Sequence, residues 1–382
     1  MRIGIDMFAQ YIFKTGVRVV IDNLLSRWNK NFSHHEFIPL IPTQQIFQEP
    51  KSKALKAWNH FYRFYWSQIE LQWQAWRQKC DLVFATCMFS PYVQLIPTVT
   101  LIYDMALWRH PEWYPTWWLI ANKLFTQYPT RYIRHITTIS EHARQDIIRF
   151  FHLPPQRVSA IYLGLDLPEV SKEKDISILN TYGISAQSKY ILYMGPALPH
   201  KNLPRLVEAF GLLMQRLPEL SLFLVLGGPA TNTHGPSDYN RIMHTAARYG
   251  IRDRLLFTGL VPREHCTVLY RNAHMYAFPS LFEGFGLPLI EAMASGVPVI
   301  ASRCSALPEI GGDAVHYFDP EDLEDIAKAI YLVATQPDIR QTLIKRGLER
   351  SKMFSWDNAA AQYVQLFESL ERISKFGQCT TK

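Results

Sequence analysis

Short apolar runs alternate along the chain with longer stretches in which apolar residues recur every three or four positions. Arg2 to Asp6, Phe37 to Ile41, Asp81 to Ala85, Val99 to Tyr103, Ile136 to Ile139 and Val158 to Tyr162 are brief and largely apolar, which predicts buried strands. Between them, Val20, Leu24 and Trp28, with Leu25 alongside, give one face of a helix from about Val17 to Trp28. Ala54 to Lys79 predicts one long helix. Leu55, Trp58, Tyr62, Tyr65, Ile69 and Trp76 form one strip on it, and Phe61, Phe64 and Leu71 a second. Ser140 is placed to cap a helix over Glu141 to Phe151.

The pattern lapses over Leu167 to Lys189, where Pro168, Ser171, Lys172, Glu173 and Lys174 show no strong period. A second series follows. Strands are predicted at Ile191 to Met194, Leu222 to Leu226, Leu255 to Phe257, Ala273 to Phe278 and Val297 to Ala301, with an edge strand at Asp313 to Asp319. Helices are predicted after Pro204, over Pro236 to Tyr249, Pro262 to Arg271, Glu321 to Thr335 and Pro337 to Lys352, and finally from Trp356 to Ser374. This strand–helix alternation implies an α/β protein with doubly wound parallel sheets. At 382 residues there is room for two domains, read as 1–168 and 190–355 with a linker at 169–189.

A net charge of +7 favours an anionic partner, and lipid, sugar nucleotide and nucleic acid are all compatible with it. No nucleic-acid motif is present, so nucleic acid is set aside. The five cysteines are scattered, odd in number and without a C-x-x-C pair, which points to a reducing compartment with neither a disulfide frame nor a zinc knuckle. No signal-peptide pattern opens the chain, and no apolar run reaches the ~18 residues that span a bilayer. A cytosolic protein is expected. Lys51, Lys53, Lys56, Arg63, Arg77 and Lys79 accompany the aromatic helix. Two readings of it stand: an interfacial helix on an anionic membrane, or a core-facing helix with solvated ends. Trp113 to Tyr128 is similarly aromatic, with Lys123 its one charge after Trp113, and suits a membrane interface, a sugar-stacking wall or core.

The most specific chemistry lies between Phe278 and Ile300. A strand runs into Glu283-Gly284-Phe285-Gly286, and a helix opens around Leu287-Pro288. Glycines clear the approach path, proline suits a first helical turn, and the helix N-terminus offers N–H groups to an anion. Glu291 follows Glu283 after seven intervening residues. The string resembles the E-x7-E donor motif of the retaining glycosyltransferases of family 4. That resemblance implies the GT-B fold: two Rossmann-like, doubly wound parallel-sheet domains facing a cleft, with the last helix returning to the N-terminal domain. It implies that Glu283 contacts donor-sugar hydroxyls, that Gly284, Phe285, Gly286 and Leu287 present amides to sugar and phosphate, and that Glu291 binds the ribose.

Further segments resemble the same family. Gly195 to Leu203 is similar to its G-x-x-x-P-R-K-N loop, which implies donor contacts for Gly195, Lys201 and Asn202, with Lys201 clamping the diphosphate. Here His200 stands where arginine is common, and Pro196 where some relatives carry a second arginine. Gly259 matches a strand end that faces the nucleotide base, and Gly16 a glycine loop that approaches the donor from the other domain. Tyr103-Asp104 and His110-Pro111-Glu112 resemble the acceptor-side "HD…HPE" segment, with Tyr103 replacing the usual histidine. Asp104 also has an alternative reading as an N-cap or turn residue.

The resemblance implies a hexosyltransferase of the mannosyltransferase branch that builds surface polysaccharides, with GDP-mannose as donor and a glycan or lipid-linked acceptor. Glu283, Lys201 and Asp104 are the expected catalytic residues. No metal or other cofactor is expected, since no D-x-D motif stands where the other main glycosyltransferase fold would carry it. Two rivals remain. One is a catalytically inactive GT-B scaffold that binds glycan or nucleotide, favoured by Tyr103. The other is an NAD-dependent oxidoreductase, opposed by the lack of G-x-G-x-x-G after the first strand.

Overall fold

In this computed structural model the described residues are 1–12, 16–47, 52–86, 88–229 and 237–379. They form two compact units, Met1–Gly164 with Ser355–Lys382, and Leu165–Phe354. Lys14, Thr15, Lys51 and Pro236 lie outside the described residues, as does the side chain of Lys53.

The first unit is built on six parallel strands: β1 (Arg2–Asp6), β2 (Glu36–Leu40), β3 (Leu82–Ala85), β4 (Thr98–Leu101), β5 (His135–Thr138) and β6 (Val158–Ala160). Their order is β2-β1-β3-β4-β5-β6, with Ile3 paired to Phe37 on one side and Leu82 on the other. Helices cover the sheet, so the strands are buried and read as continuous apolar runs rather than alternating ones. Ile3, Ile5, Val83, Val99, Leu101 and Ile136 have essentially no exposure. The last helix, Trp356–Cys379, packs against Val17–Asn31. Trp28 is the pivot: its Nε1–H donates to the Ala360 carbonyl at 3.1 Å, and its ring stacks on Phe37 and meets the edge of Tyr363. Gly164 admits the chain there, since a Cβ would fall 2.1 Å from the Trp356 nitrogen.

The second unit repeats the plan with β7 (Lys189–Met194), β8 (Leu222–Gly227), β9 (Leu255–Gly259), β10 (Met275–Phe278), β11 (Val299–Ser302) and β12 (Val315–Phe318). Their order is β12-β11-β10-β7-β8-β9, again all parallel, with β12 at an edge.

Three expectations change. The single helix over 54–79 is Lys53–Tyr65, a π-helical turn at Trp66–Glu70, and Leu71–Arg77. The π turn inserts one residue and rotates the following face by about 100°. Tyr62 before the turn and Trp66, Leu71 and Ala75 from it onward are buried, while Trp58, Phe61, Tyr65, Ile69, Trp73 and Trp76 are exposed. Second, 169–189 is no free linker. It holds the helix Asp175–Thr181 with Ile178 and Leu179 buried. Asp175 pairs with Arg271 and accepts from Asn272 Nδ2 at 2.9 Å, which fastens the segment to the second unit. The first unit accordingly ends at Gly164 rather than at residue 168. Third, a short helix, Phe8–Ile12, occupies part of the expected loop after β1.

Candidate active site

In the second sheet, β7 and β10 are neighbours whose connections run opposite ways, to β8 and β9 on one side and to β11 and β12 on the other. In an open parallel sheet, the crevice beyond the carboxyl ends of such a pair is where ligands bind. Both donor-like loops leave from here. The loop after β7 carries Gly195 to Asn202, and that after β10 carries Glu283 to Leu287. The Leu281 N–H donates to the His200 carbonyl at 2.8 Å and ties the loops together. Lys201 Nζ lies 2.6 Å from Glu283 Oε1, with side chains only 16% and 13% exposed. The Phe278 ring lies 5.8 Å from the same ammonium.

The local sequence explains how each group is held. Gly286 has φ 105° and caps the helix Leu287–Ala294, with Pro288 in the first turn. A side chain there would be strained in itself and would approach Leu307 to 2.9 Å. The left-handed entry leaves the first N–H groups of the helix without intrahelical acceptors. Asn202, also left-handed, precedes the helix Leu203–Arg216, and its Nδ2–H donates to the Pro320 carbonyl at 2.8 Å. Gly195 lets Tyr193 close under the loop, where the phenol donates to the Pro196 carbonyl at 3.2 Å. Glu283 is fixed by its own backbone: its N–H donates to Ser305 Oγ at 2.8 Å. Glu291 accepts a hydrogen bond from the Tyr270 hydroxyl at 3.2 Å. Desolvation pushes the Glu291 carboxyl above the usual carboxylate range, against Tyr270 and the Arg263 charge, which pull it down. Gly259 ends β9 at φ 68°, and its carbonyl accepts from the Gly228 N–H at 2.9 Å.

The remaining candidates belong to the first unit. Gly16, at φ 41°, precedes Val17–Asn31, and its carbonyl accepts from the Val20 N–H at 3.1 Å. Tyr103 and Asp104 lie beyond the end of β4, which stops at Leu101. Asp104 Oδ1 accepts from the Ala106 N–H at 2.8 Å, so it does act as a turn residue. Burial, and then the Asp104 charge, pushes the Tyr114 phenol up to about 12. His110 stacks on Trp113 with ring centroids 3.9 Å apart, and its Nδ1 lies 3.1 Å from Glu112 Oε1. Among the described residues, one group has metal-ligand spacing: His34, His35 and Glu368, also in the first unit.

Sequence reasoning missed Ser305 and Tyr270, which reach the site across the sheet from other elements. It also passed over Asp6, a buried carboxylate ending β1 that accepts from the Phe8 N–H at 2.9 Å, Trp66 Nε1 at 2.9 Å and the Thr86 N–H at 3.2 Å. An acid at the carboxyl end of the first apolar run was the available signal.

The family described as "Glycosyl transferases group 1" matches residues 176–350. The O-antigen chain mannosyltransferase B of Escherichia coli is 30% identical over 302 residues, 78% of this chain and 77% of that protein. A serotype-specific mannosyltransferase WbdA of Escherichia coli is 31% identical over 249 residues, which is 63% of this chain but only 29% of that longer protein. Among solved structures, Anabaena Alr3699/HepE in complex with UDP-glucose aligns with a TM-score of 0.72 at 16% identity, covering 97% of this chain and 100% of that one. Its agreement with the two parallel six-stranded sheets shows the GT-B fold. On the length and identity of the mannosyltransferase B match, the chain belongs to the group 1 glycosyl transferases.

Proposed function

We propose that the chain is a retaining, metal-independent hexosyltransferase of family 4 that moves mannose from GDP-mannose to a glycan or lipid-linked acceptor in surface-polysaccharide synthesis. The observation that carries this reading is the Lys201–Glu283 pair at the β7/β10 switch point, with Lys201 on the loop after β7 and Glu283 on the loop that leads into the helix starting after Gly286. A diphosphate fits that setting, because an ammonium and first-turn amides both attract it without a metal. Lys201 would then stabilise charge on the departing nucleotide diphosphate. Glu283, relieved of its lysine, would turn to the sugar hydroxyls. Glu291 would take the ribose diol, for which a carboxylate is a suitable double acceptor. Gly195, Asn202 and Gly259 would shape the loops around the donor, Gly16 is proposed as a further donor-binding residue, and Tyr103, Asp104 and His110 would attend the acceptor.

The mannose assignment draws on the names of the Escherichia coli relatives. The Anabaena structure holds UDP-glucose, and at 16% identity it speaks for the fold alone. Thermal unfolding against GDP-, UDP-, ADP- and dTDP-sugars tests the base directly. Ligand at ~100 times its dissociation constant adds roughly 2.7 kcal/mol, and GDP-mannose is expected to stand out. Another nucleotide standing out moves the donor assignment. A flat panel together with no donor hydrolysis favours the inactive scaffold.

The enzyme is further proposed to work at the cytoplasmic face of an anionic membrane. No helix among the described residues is long and apolar enough to cross one. The first unit instead exposes aromatic rings, with Phe61 and Trp76 each 59% exposed and Trp117 55%. Guanidinium groups lie over two others: Arg77 over Trp73 and Arg131 over Tyr128. Exposed rings beside basic groups are the composition of an interfacial surface.

A further inference from the structure

Arg63 does not join the basic surface to which the helical pattern assigned it. It sits on Lys53–Tyr65 and is only 9% exposed. Its guanidinium carbon lies 4.8 Å from the Phe89 ring centroid and 5.6 Å from that of Trp118. Its Nε–H has no hydrogen-bond partner, and among the described residues no carboxylate pairs with it. The buried acids of this region are engaged elsewhere. Asp6 serves Trp66, Phe8 and Thr86, while Glu70 accepts from the Thr43 N–H, the Tyr62 hydroxyl and Gln74 Nε2. By contrast, Arg109 pairs with Asp146, and Arg144 and Arg157 donate to backbone carbonyls. A desolvated cation held by two aromatic faces recovers only part of its lost hydration. The buried Nε–H in particular is a donor left without an acceptor.

The position fits a ligand. Phe89 follows β3, and β1 and β3 form the switch point of the first sheet, because β1 leads to β2 on one side and β3 leads on to β4 on the other. Thr86, at the carboxyl end of β3, already bonds to Asp6 at the carboxyl end of β1. The His60 ring lies 5.6 Å from Trp118, and desolvation, then the Arg63 charge, lowers its pKa from the ordinary imidazole value.

We propose that Arg63, floored by Phe89 and Trp118, is an oxyanion subsite of the first unit that takes a phosphate group of the acceptor. The proposal deepens the transferase reading, since it names the acceptor's charge. Phosphate binds the fork of a guanidinium through paired N–H donors, and the flanking rings suit an apolar or sugar moiety beside it.

The test uses the full chain carrying Lys201→Met, so that the cation of the second unit does not report. Inorganic phosphate is titrated by calorimetry and by thermal unfolding, with and without Arg63→Met, and Arg63→Lys is the conservative variant. The subsite predicts that Arg63→Met raises the unfolding midpoint in phosphate-free buffer, since an unpaired buried charge is removed. It also predicts phosphate binding weakened by about tenfold or more in that variant, with an intermediate result for Arg63→Lys. A lower midpoint for Arg63→Met with unchanged phosphate binding would make Arg63 a packing element and overturn the proposal, as would no phosphate binding in the Lys201→Met chain. A short isoprenyl diphosphate and a sugar 1-phosphate, titrated separately, distinguish a lipid-borne from a soluble phosphate. The nucleotide-sugar panel, run on Arg63→Met with Lys201 intact, separates failure of this subsite from failure of the transferase reading, because the donor response does not depend on Arg63.

Discussion

At the scale of single residues, the Lys201–Glu283 pair is a contact that a donor must rearrange. Both side chains are mostly withdrawn from water, so each charge depends on the other. Glu283→Gln leaves Lys201 without its carboxylate and costs about 1–3 kcal/mol of stability in the free protein. A nucleoside diphosphate lacking the sugar then meets no competitor for Lys201. It is expected to bind Glu283→Gln at least as tightly as the wild type by calorimetry, while turnover collapses. Weaker diphosphate binding in that variant would mean that Glu283, not the ligand, positions the lysine. Lys201→Ala should lose about 10²–10³ in kcat, the scale of one preorganised charge-stabilising group. Glu291 adds a pH signature. Its raised pKa means that, on acidification, it protonates before an ordinary carboxylate does. The protonated form accepts fewer hydrogen bonds from a diol, so the KM for donor should climb through that range while kcat changes less. In Glu291→Gln the KM should be high and flat over the same range. A wild-type KM without that acid limb would remove Glu291 from the ribose.

At the scale of elements, what was legible depended on whether a feature is local in the chain. The helix after Gly286, its Pro288 turn and the Ser140 cap were readable because each is specified within a few residues; Ser140 Oγ indeed accepts from the Ala143 N–H at 3.1 Å. The strands were readable to within two residues because two-sided burial leaves plain apolar runs. Tyr270 and Ser305 were not, since their partners lie 21 and 22 residues away. The helix over 54–79 failed for a different reason. A period of three and four carries no mark of the π turn at Trp66–Glu70, so past it Trp76 of the predicted strip is exposed while Leu71 of the second strip is buried, with buried Gln72 donating to Thr98 Oγ1 at 2.8 Å. Past the turn, Trp73 and Trp76 extend the exposed aromatic surface that Trp58, Phe61 and Tyr65 begin. Trp73→Ser with Trp76→Ser should leave the thermal midpoint within about 0.5 kcal/mol in stability terms, yet reduce flotation with phosphatidylglycerol vesicles. Lys56→Glu with Arg77→Glu should weaken flotation most at low salt. Equal flotation of all variants, or equal affinity for neutral phosphatidylcholine vesicles, would count against an anionic interface.

At the scale of the whole molecule, acid stability is set by histidines kept neutral in both units. His135 in β5 is the strongest case. Burial first, and then the charges of Arg157, Arg134 and Arg144, push it down to about 4 from its ordinary 6.5, while its Nε2 lies 2.9 Å from Ser159 Oγ. His274 and His316 in the second unit are lowered in the same direction, chiefly by burial. The sign follows from proton counting. Between pH 6.5 and 4 the unfolded chain binds a proton at position 135 that the folded chain does not, so stability falls as pH falls through that window and is fully present above it. A shift from 6.5 to about 4 corresponds to at most about 3 kcal/mol for this one group. The urea midpoint should therefore drop steadily from pH 7 toward pH 4.5. His135→Asn keeps a polar group for Ser159 but cannot take the proton. It should be less stable than wild type at pH 7 and lose much less on acidification, so that the two curves converge. Because each unit has its own sheet and core, the flattening should be confined to the transition of the first unit, while the second keeps the acid slope from His274 and His316. Parallel curves for the variant and the wild type would show that His135 charges freely in the folded chain, and the arginine cluster around β5 would then need a counter-ion to hold it together.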